Sequence, residues 1–121
     1  MVAISSNPFG MDHICAVVAS PTAVNAIRQF RTAIGPANPW KTIELRLDYL
    51  HDAVQRATVL GWLSRQKRLP PIIATCRARR AGGQFQGGAE AELAILAQAV
   101  TAGCSWCDVA IRRESSLSPM S

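Results

Sequence analysis

Lysine is nearly missing from this sequence. Of 13 basic residues in 121, only Lys41 and Lys67 are lysine; the rest are arginine, and against eight acidic residues they leave a net charge of +5. Arginine suits fixed, two-pronged contacts with carboxylate or phosphate, whereas the lysine amine is the group that forms Schiff bases. Aromatic residues are also sparse, at 6%, which argues against a base-stacking nucleic-acid surface despite the basic charge. No apolar run nears the roughly 18–20 residues of a membrane-crossing helix. The opening MVAISSNPFGMDH has neither the basic start nor the long apolar stretch of a secretory signal, so a cytoplasmic location is expected. Charged residues make up only 17% of the chain and apolar ones 49%, too little charge for a disordered chain and enough apolar material for the core of one domain.

What is present is a repeated strand–helix grammar. Residues 14–19, ICAVVA, form a continuous apolar run of the kind found in buried parallel strands. Ser20-Pro21 then reads as a helix cap with proline in first position, and Ala23, Ile27, Phe30 and Ile34 recur at helical spacing up to Gly35, a left-handed stop. Residues 42–47, TIELRL, predict a second strand, followed by a turn over 48–52 and a helix, weakened by Gly61, with Val54, Ala57, Leu60 and Leu63 on one face. Pro70-Pro71 precedes a third strand, IIATC at 72–76. The glycine-rich AGGQFQGG at 81–88 leads to a helix with Leu93, Leu96, Ala97 and Val100 on one face. Gly103 ends that helix and SWCDVAI at 105–111 predicts a fourth strand. Strands alternating with helices in this way build a parallel sheet with right-handed crossovers. Residues 1–13 are expected to be a lead-in and 112–121 a disordered tail, outside the unit at 14–111.

In parallel α/β folds ligands bind beyond the carboxyl ends of the strands. Glu44, Arg46 and Asp48 alternate with Ile43, Leu45 and Leu47, so all three charges share one face of the second strand. They are either a buried ionic network that fixes the architecture or part of a site. Arg77 follows the third strand, and with Arg46 one strand away it offers a second guanidinium for an anionic ligand; alone it is a surface arginine. Arg79 and Arg80 read as solvated loop residues. The glycine loop is neither a GKS/GKT phosphate loop nor GxGxxG; it predicts a mobile lid or a tight turn. Cys104 and Cys107 form a CxxC, but at a helix end rather than a helix start and with no second ligand pair for zinc, so core packing is expected. Cys15 and Cys76 also lie in apolar runs. No cofactor and no metal site is expected. His13 falls before the first strand and His51 at the start of the second helix.

Together, Glu44-Leu45-Arg46-Leu47-Asp48, the strand Ile73-Ala74-Thr75-Cys76-Arg77 and the Gly82-Gly83 loop resemble type I 3-dehydroquinate dehydratase, and the order and spacing from Ile14 to Ile111 agree. The resemblance implies an α/β fold, the first half of a (β/α)8 TIM-type barrel with about four parallel strands and three helices. It implies a lyase of the shikimate pathway, serving aromatic amino acid biosynthesis, that dehydrates 3-dehydroquinate to 3-dehydroshikimate through a lysine Schiff base, with histidine as general acid and base. Glu44, Arg46 and Arg77 match the family's substrate-binding residues. The family's reacting lysine and histidine come from the second half of its barrel. Lys41 and Lys67 fall at the opposite, N-terminal ends of strands, and Ala81 stands where many members carry Glu.

The chain is therefore expected to be a truncated member, inactive alone, with no catalytic residue of its own. Its partners would be 3-dehydroquinate, if the pocket forms, and another half-barrel. The alternatives are binding of a dehydroquinate-like carboxylate without chemistry, or weak nucleic-acid binding through the arginines.

Overall fold

A computed structural model describes residues 2–4, 14–35 and 42–108 of the chain. Strand β1 spans Val2–Ile4, β2 Ile14–Val18, β3 Ile43–Arg46, β4 Ile72–Thr75 and β5 Trp106–Asp108. Helices α1 (Ala23–Ala33), α2 (Ala53–Ser64) and α3 (Ala89–Ala102) follow β2, β3 and β4 in turn. The strands form one sheet in chain order, with β2 to β5 parallel and β1 antiparallel to β2. The expected strands and helices are all present. An additional element, β1, falls within what reads in sequence as a lead-in. The expected tail at 112–121, His13 and Lys41 lie outside the described residues.

Alternation along the strands sorts their side chains onto two faces. Ala16, Val18, Ile43, Leu45, Ile72 and Ala74 cluster with buried residues of all three helices, so the helices share one face of the sheet. Sequential strand order with every helix on one side is the arrangement of a (β/α)-barrel segment, not of a doubly wound sheet. The other face carries Glu44 and Arg46 from β3, Ile73 and Thr75 from β4, and Trp106 and Asp108 from β5.

Local chemistry explains where the helices depart from expectation. The cap of α1 is Thr22, whose side chain accepts from Asn25 N, and not Ser20; Pro21 stays outside the helix. Ser20 Oγ accepts from the Thr22 amide at 3.3 Å, ahead of the helix, while the Ala23 N–H is held by Gln55 Oε1 of α2 at 2.8 Å. Nor does Gly35 make a left-handed stop: among the described residues only Gly82 and Gly103 have positive φ. Helix α2 buries Val59, Leu60, Trp62 and Leu63, with Trp62 drawn against Phe30 of α1 at 5.6 Å between ring centroids, while Val54 is 67% exposed. Helix α3 buries Glu92, Ile95, Leu96 and Ala99, one position out of step with the expected face, leaving Leu93 and Val100 about half exposed. Gly103, at φ 123°, does end α3.

Candidate functional site

Parallel register fixes which side chains meet on the helix-free face. Arg46 lies level with Thr75, and Thr75 with Asp108; Glu44 lies one step back beside Ile73, which pairs with Trp106. This brings polar groups from three strands to the carboxyl end of the sheet, where the hydrogen bonds divide them into a rigid and a loose part.

The rigid part centres on Asp48, in the single 3-10 turn Leu47–Tyr49 that follows β3. Its side chain is fully buried and accepts from Arg46 Nε at 3.0 Å, from Arg46 Nη2 at 2.8 Å and from the backbone N of Gln84 at 3.0 Å. A paired, two-pronged guanidinium–carboxylate contact is the strong form of this interaction. Burial works against the Arg46 cation, but the hydrogen bond and charge of Asp48, with Glu44 and Tyr49 beyond it, more than offset that and raise the Arg46 pKa. The guanidinium also lies over the Tyr49 ring, 4.9 Å from its centroid. Glu44 does not join this ion pair. Its Oε2 accepts from Thr75 Oγ1 at 2.8 Å, and Thr75 is 1% exposed.

The loose part is Arg77, whose Nη2 reaches Asp108 Oδ2 at 3.4 Å with both side chains about a third exposed. An exposed pair of this kind is worth at most about 1 kcal/mol, so Arg77 can exchange its partner at little cost. The residues singled out in the sequence, Glu44, Arg46 and Arg77, thus reach the same face of the sheet. Thr75 and Asp108, which hold Glu44 and Arg77, are brought there by register, Thr75 opposite Arg46 and Asp108 opposite Thr75, which sequence does not give.

The glycine loop is a tight turn and not an open lid. Gly82 takes φ 90°, and a Cβ on Gly83 would collide with the Arg77 carbonyl group. Gly83 N donates to Ala78 O, Phe85 N to Arg77 O and Arg79 N to Phe85 O, folding the loop back onto the strand end. That fold carries the Gln84 amide to Asp48. Arg80 is not merely solvated: it pairs at 3.3 Å with Glu92, a buried residue in the first turn of α3. Arg79 is exposed, as expected.

His51 and Lys67 are exposed, the first beside the carboxyl end of β3 and the second between α2 and the start of β4. The CxxC splits. Cys104 is buried, but Cys107 is exposed, because it stands on β5 at the sheet margin rather than in the core. Burial, reinforced by the Asp48 and Glu92 carboxylates, pushes the Cys76 thiol up to about 12. Burial, with Cys107 beside it, does the same to Cys104, to about 12. Such thiols are poor nucleophiles.

Helices on one face, parallel strands in sequential order and charged groups at their carboxyl ends define a segment of the (β/α)8-barrel class. Residues 14–118 match the family of type I 3-dehydroquinases. The chain is also 32% identical over 99 residues to a 3-dehydroquinate dehydratase of Desulfotalea psychrophila, an alignment that covers 82% of this chain and 39% of that protein. The chain belongs to the type I 3-dehydroquinase family. It spans about two-fifths of the length of that relative. Among the described residues no helix is long and apolar enough to cross a membrane.

Proposed function

We propose that this chain supplies the substrate-holding strands of a 3-dehydroquinate dehydratase site and that its 121 residues alone do not turn substrate over. The reading rests on one observation above all: on a single sheet face, Arg46 is locked by Asp48 while Arg77 is held only weakly by Asp108. Nε and Nη2 of Arg46 are committed to Asp48, which leaves its Nη1 edge for a ligand oxygen. Arg77 releases Asp108 to take a carboxylate, and Glu44, oriented by Thr75, accepts a hydrogen bond from a substrate hydroxyl through its second oxygen. Holding the substrate at a carboxylate and a hydroxyl fixes which carbon faces the reacting groups, the contribution that positioning makes to catalysis.

The reacting groups themselves are the weak point of this chain. A Schiff-base lysine must sit at the mouth of the strands and be desolvated, so that its amine is uncharged and nucleophilic. Lys67 is exposed and at the other end of the sheet. The dehydratase reaction therefore needs groups beyond those described, and association with another half-barrel is part of the same proposal.

Calorimetry with 3-dehydroquinate tests the binding role. Detectable binding that weakens about tenfold or more in Arg46→Ala and in Arg77→Ala is expected, and binding unaffected by both variants rules the site out. Trapping with borohydride tests inertness: intact mass spectrometry should show no reduced lysine adduct, and an adduct would mean that the chain reacts alone.

A further inference from the structure

Beside Asp48, the loop after β3 and the loop after β4 line a cleft of about 560 Å³. Glu44, Arg46 and Arg77 are not among its walls; His51, Arg56, Arg79, Gln84, Phe85 and Gln86 are. Its charge is lopsided in use. Two carboxylates border it, but Asp48 is saturated by Arg46 and the Gln84 amide, and Asp52 caps α2 by accepting from Gln55 N at 2.9 Å. The two guanidiniums are not so engaged. Neither Arg56 nor Arg79 makes an ion pair among the described residues, and Arg56 is held instead over the Phe85 ring, 5.6 Å from its centroid. An arginine held on an aromatic face, a second arginine in the same lining and two exposed glutamine side chains make the cleft rich in donors, with the glutamine carbonyl oxygens and the second oxygen of Asp52 as its acceptors.

We infer that this cleft binds a small molecule bearing a doubly charged oxyanion, a phosphate monoester or a dicarboxylate, between Arg56 and Arg79. The volume exceeds that of the oxyanion alone, so the rest of the ligand lies against Phe85, Tyr49 and Leu50, which also line the walls. The inference is independent of the dehydratase reading, because it uses none of the residues assigned to dehydroquinate.

The test uses the full chain, labelled with ¹⁵N, titrated with inorganic phosphate and separately with malonate, each against chloride at matched ionic strength so that screening is constant. Saturable shifts are expected in the amides of His51, Gln84 and Gln86 and in the Nε signals of Arg56 and Arg79. Arg79→Gln and Arg56→Gln should each weaken the apparent affinity about tenfold or more, whereas Arg31→Gln, a guanidinium over Trp62 on another part of the surface, should leave it unchanged. Tighter binding of phosphate than of malonate assigns the phosphoryl ligand, and the reverse order the carboxylate. Shifts that chloride reproduces, that fail to saturate, or that survive both substitutions overturn the proposal. The titration of the unaltered chain is decisive even where a variant does not fold.

Discussion

At the scale of single residues, the two ion pairs on the strand ends are chemically alike and energetically far apart. Breaking a buried pair by removing one charge costs about 3–5 kcal/mol, whereas an exposed pair contributes at most about 1 kcal/mol. Asp48 is fully buried and Arg46 is 17% exposed, so Asp48→Asn is expected to lose about 3 kcal/mol of stability in urea unfolding. Asp108→Asn, in a pair about a third open to solvent on both sides, should change stability by less than about 0.5 kcal/mol. Equal losses would show that the two pairs do not differ in this way. The buried thiols make a second prediction, in pH. Cys76 and Cys104 lie at about 12 in the folded chain against an ordinary value of 9.0, so the folded state retains protons that the unfolded state gives up. Their contribution is complete below pH 9 and is lost as pH rises from 9 toward 12, with a slope of up to about 1.4 kcal/mol per pH unit for each thiol. Chemical denaturation between pH 8 and pH 11 measures the slope. In the same range Cys107, which is exposed, should be alkylated ahead of Cys76 and Cys104.

At the scale of elements, the glycine loop and the helix that follows it offer opposite outcomes from the same kind of substitution. A Cβ on Gly83 meets the backbone of Arg77, which cannot step aside as a side chain would. Gly83→Ala should therefore cost more than about 2 kcal/mol and release the Gln84 amide from Asp48. Gly88 is the N-cap of α3, with extended backbone, no side-chain cap and open space around it. Gly88→Ser supplies the missing acceptor and should gain a few tenths of a kcal/mol. Urea midpoints of the two variants, taken together, separate these effects; a tolerated Gly83→Ala would mean the turn is not as tight as drawn. The same elements show what could be read from sequence and what could not. Strand positions were legible because β3, β4 and β5 are short runs bounded by prolines, turns and glycine, and because charges alternate with apolar residues on β3. The inward faces of α2 and α3 were not. Apolar residues such as Val54, Leu93 and Val100 lie on several sides of these helices, so periodicity alone does not choose between faces. The choice comes from tertiary partners: Phe30 for Trp62, and Arg80 for the buried Glu92. Likewise Glu44, Arg46 and Asp48 are visible as a charged face, but the division of partners is not: Thr75 reaches Glu44 through the register of β4 on β3, and Asp48 reaches Arg46 through the 3-10 turn that follows β3.

At the scale of the whole molecule, the margins of the sheet are unequal. The outer edge of β2 is covered by β1, whose antiparallel ladder runs from Val2 opposite Ala16 to Ile4 opposite Ile14. Three residues in a segment otherwise without strand character gave no sequence signal for this, since the ladder forms only by long-range pairing. A parallel neighbour therefore cannot add beside β2 without displacing β1. At the opposite margin no described strand pairs with the outer edge of β5, and the surface there is apolar: Trp106 is 48% exposed on β5, and Leu93 and Val100 are 53% and 48% exposed on α3, which packs beside it. A strand edge with no partner among the described residues, next to exposed apolar side chains, is a place where another chain can pair, and proteins that avoid this place charge on the edge. Association through β5 is the physical content of the half-barrel partnership proposed above. Sedimentation velocity should show the chain associating as its concentration rises. Cys107→Lys, which puts a charge on β5, and the double variant Leu93→Glu with Val100→Glu should each shift the distribution toward monomer. Because all three positions are exposed, their stability should stay within about 0.5 kcal/mol of the parent. Deleting residues 1–4 uncovers β2 and should increase association, since it opens the second margin. A chain that stays monomeric at every concentration, or that associates equally well with charge on β5, would place the contact elsewhere and remove the half-barrel from consideration.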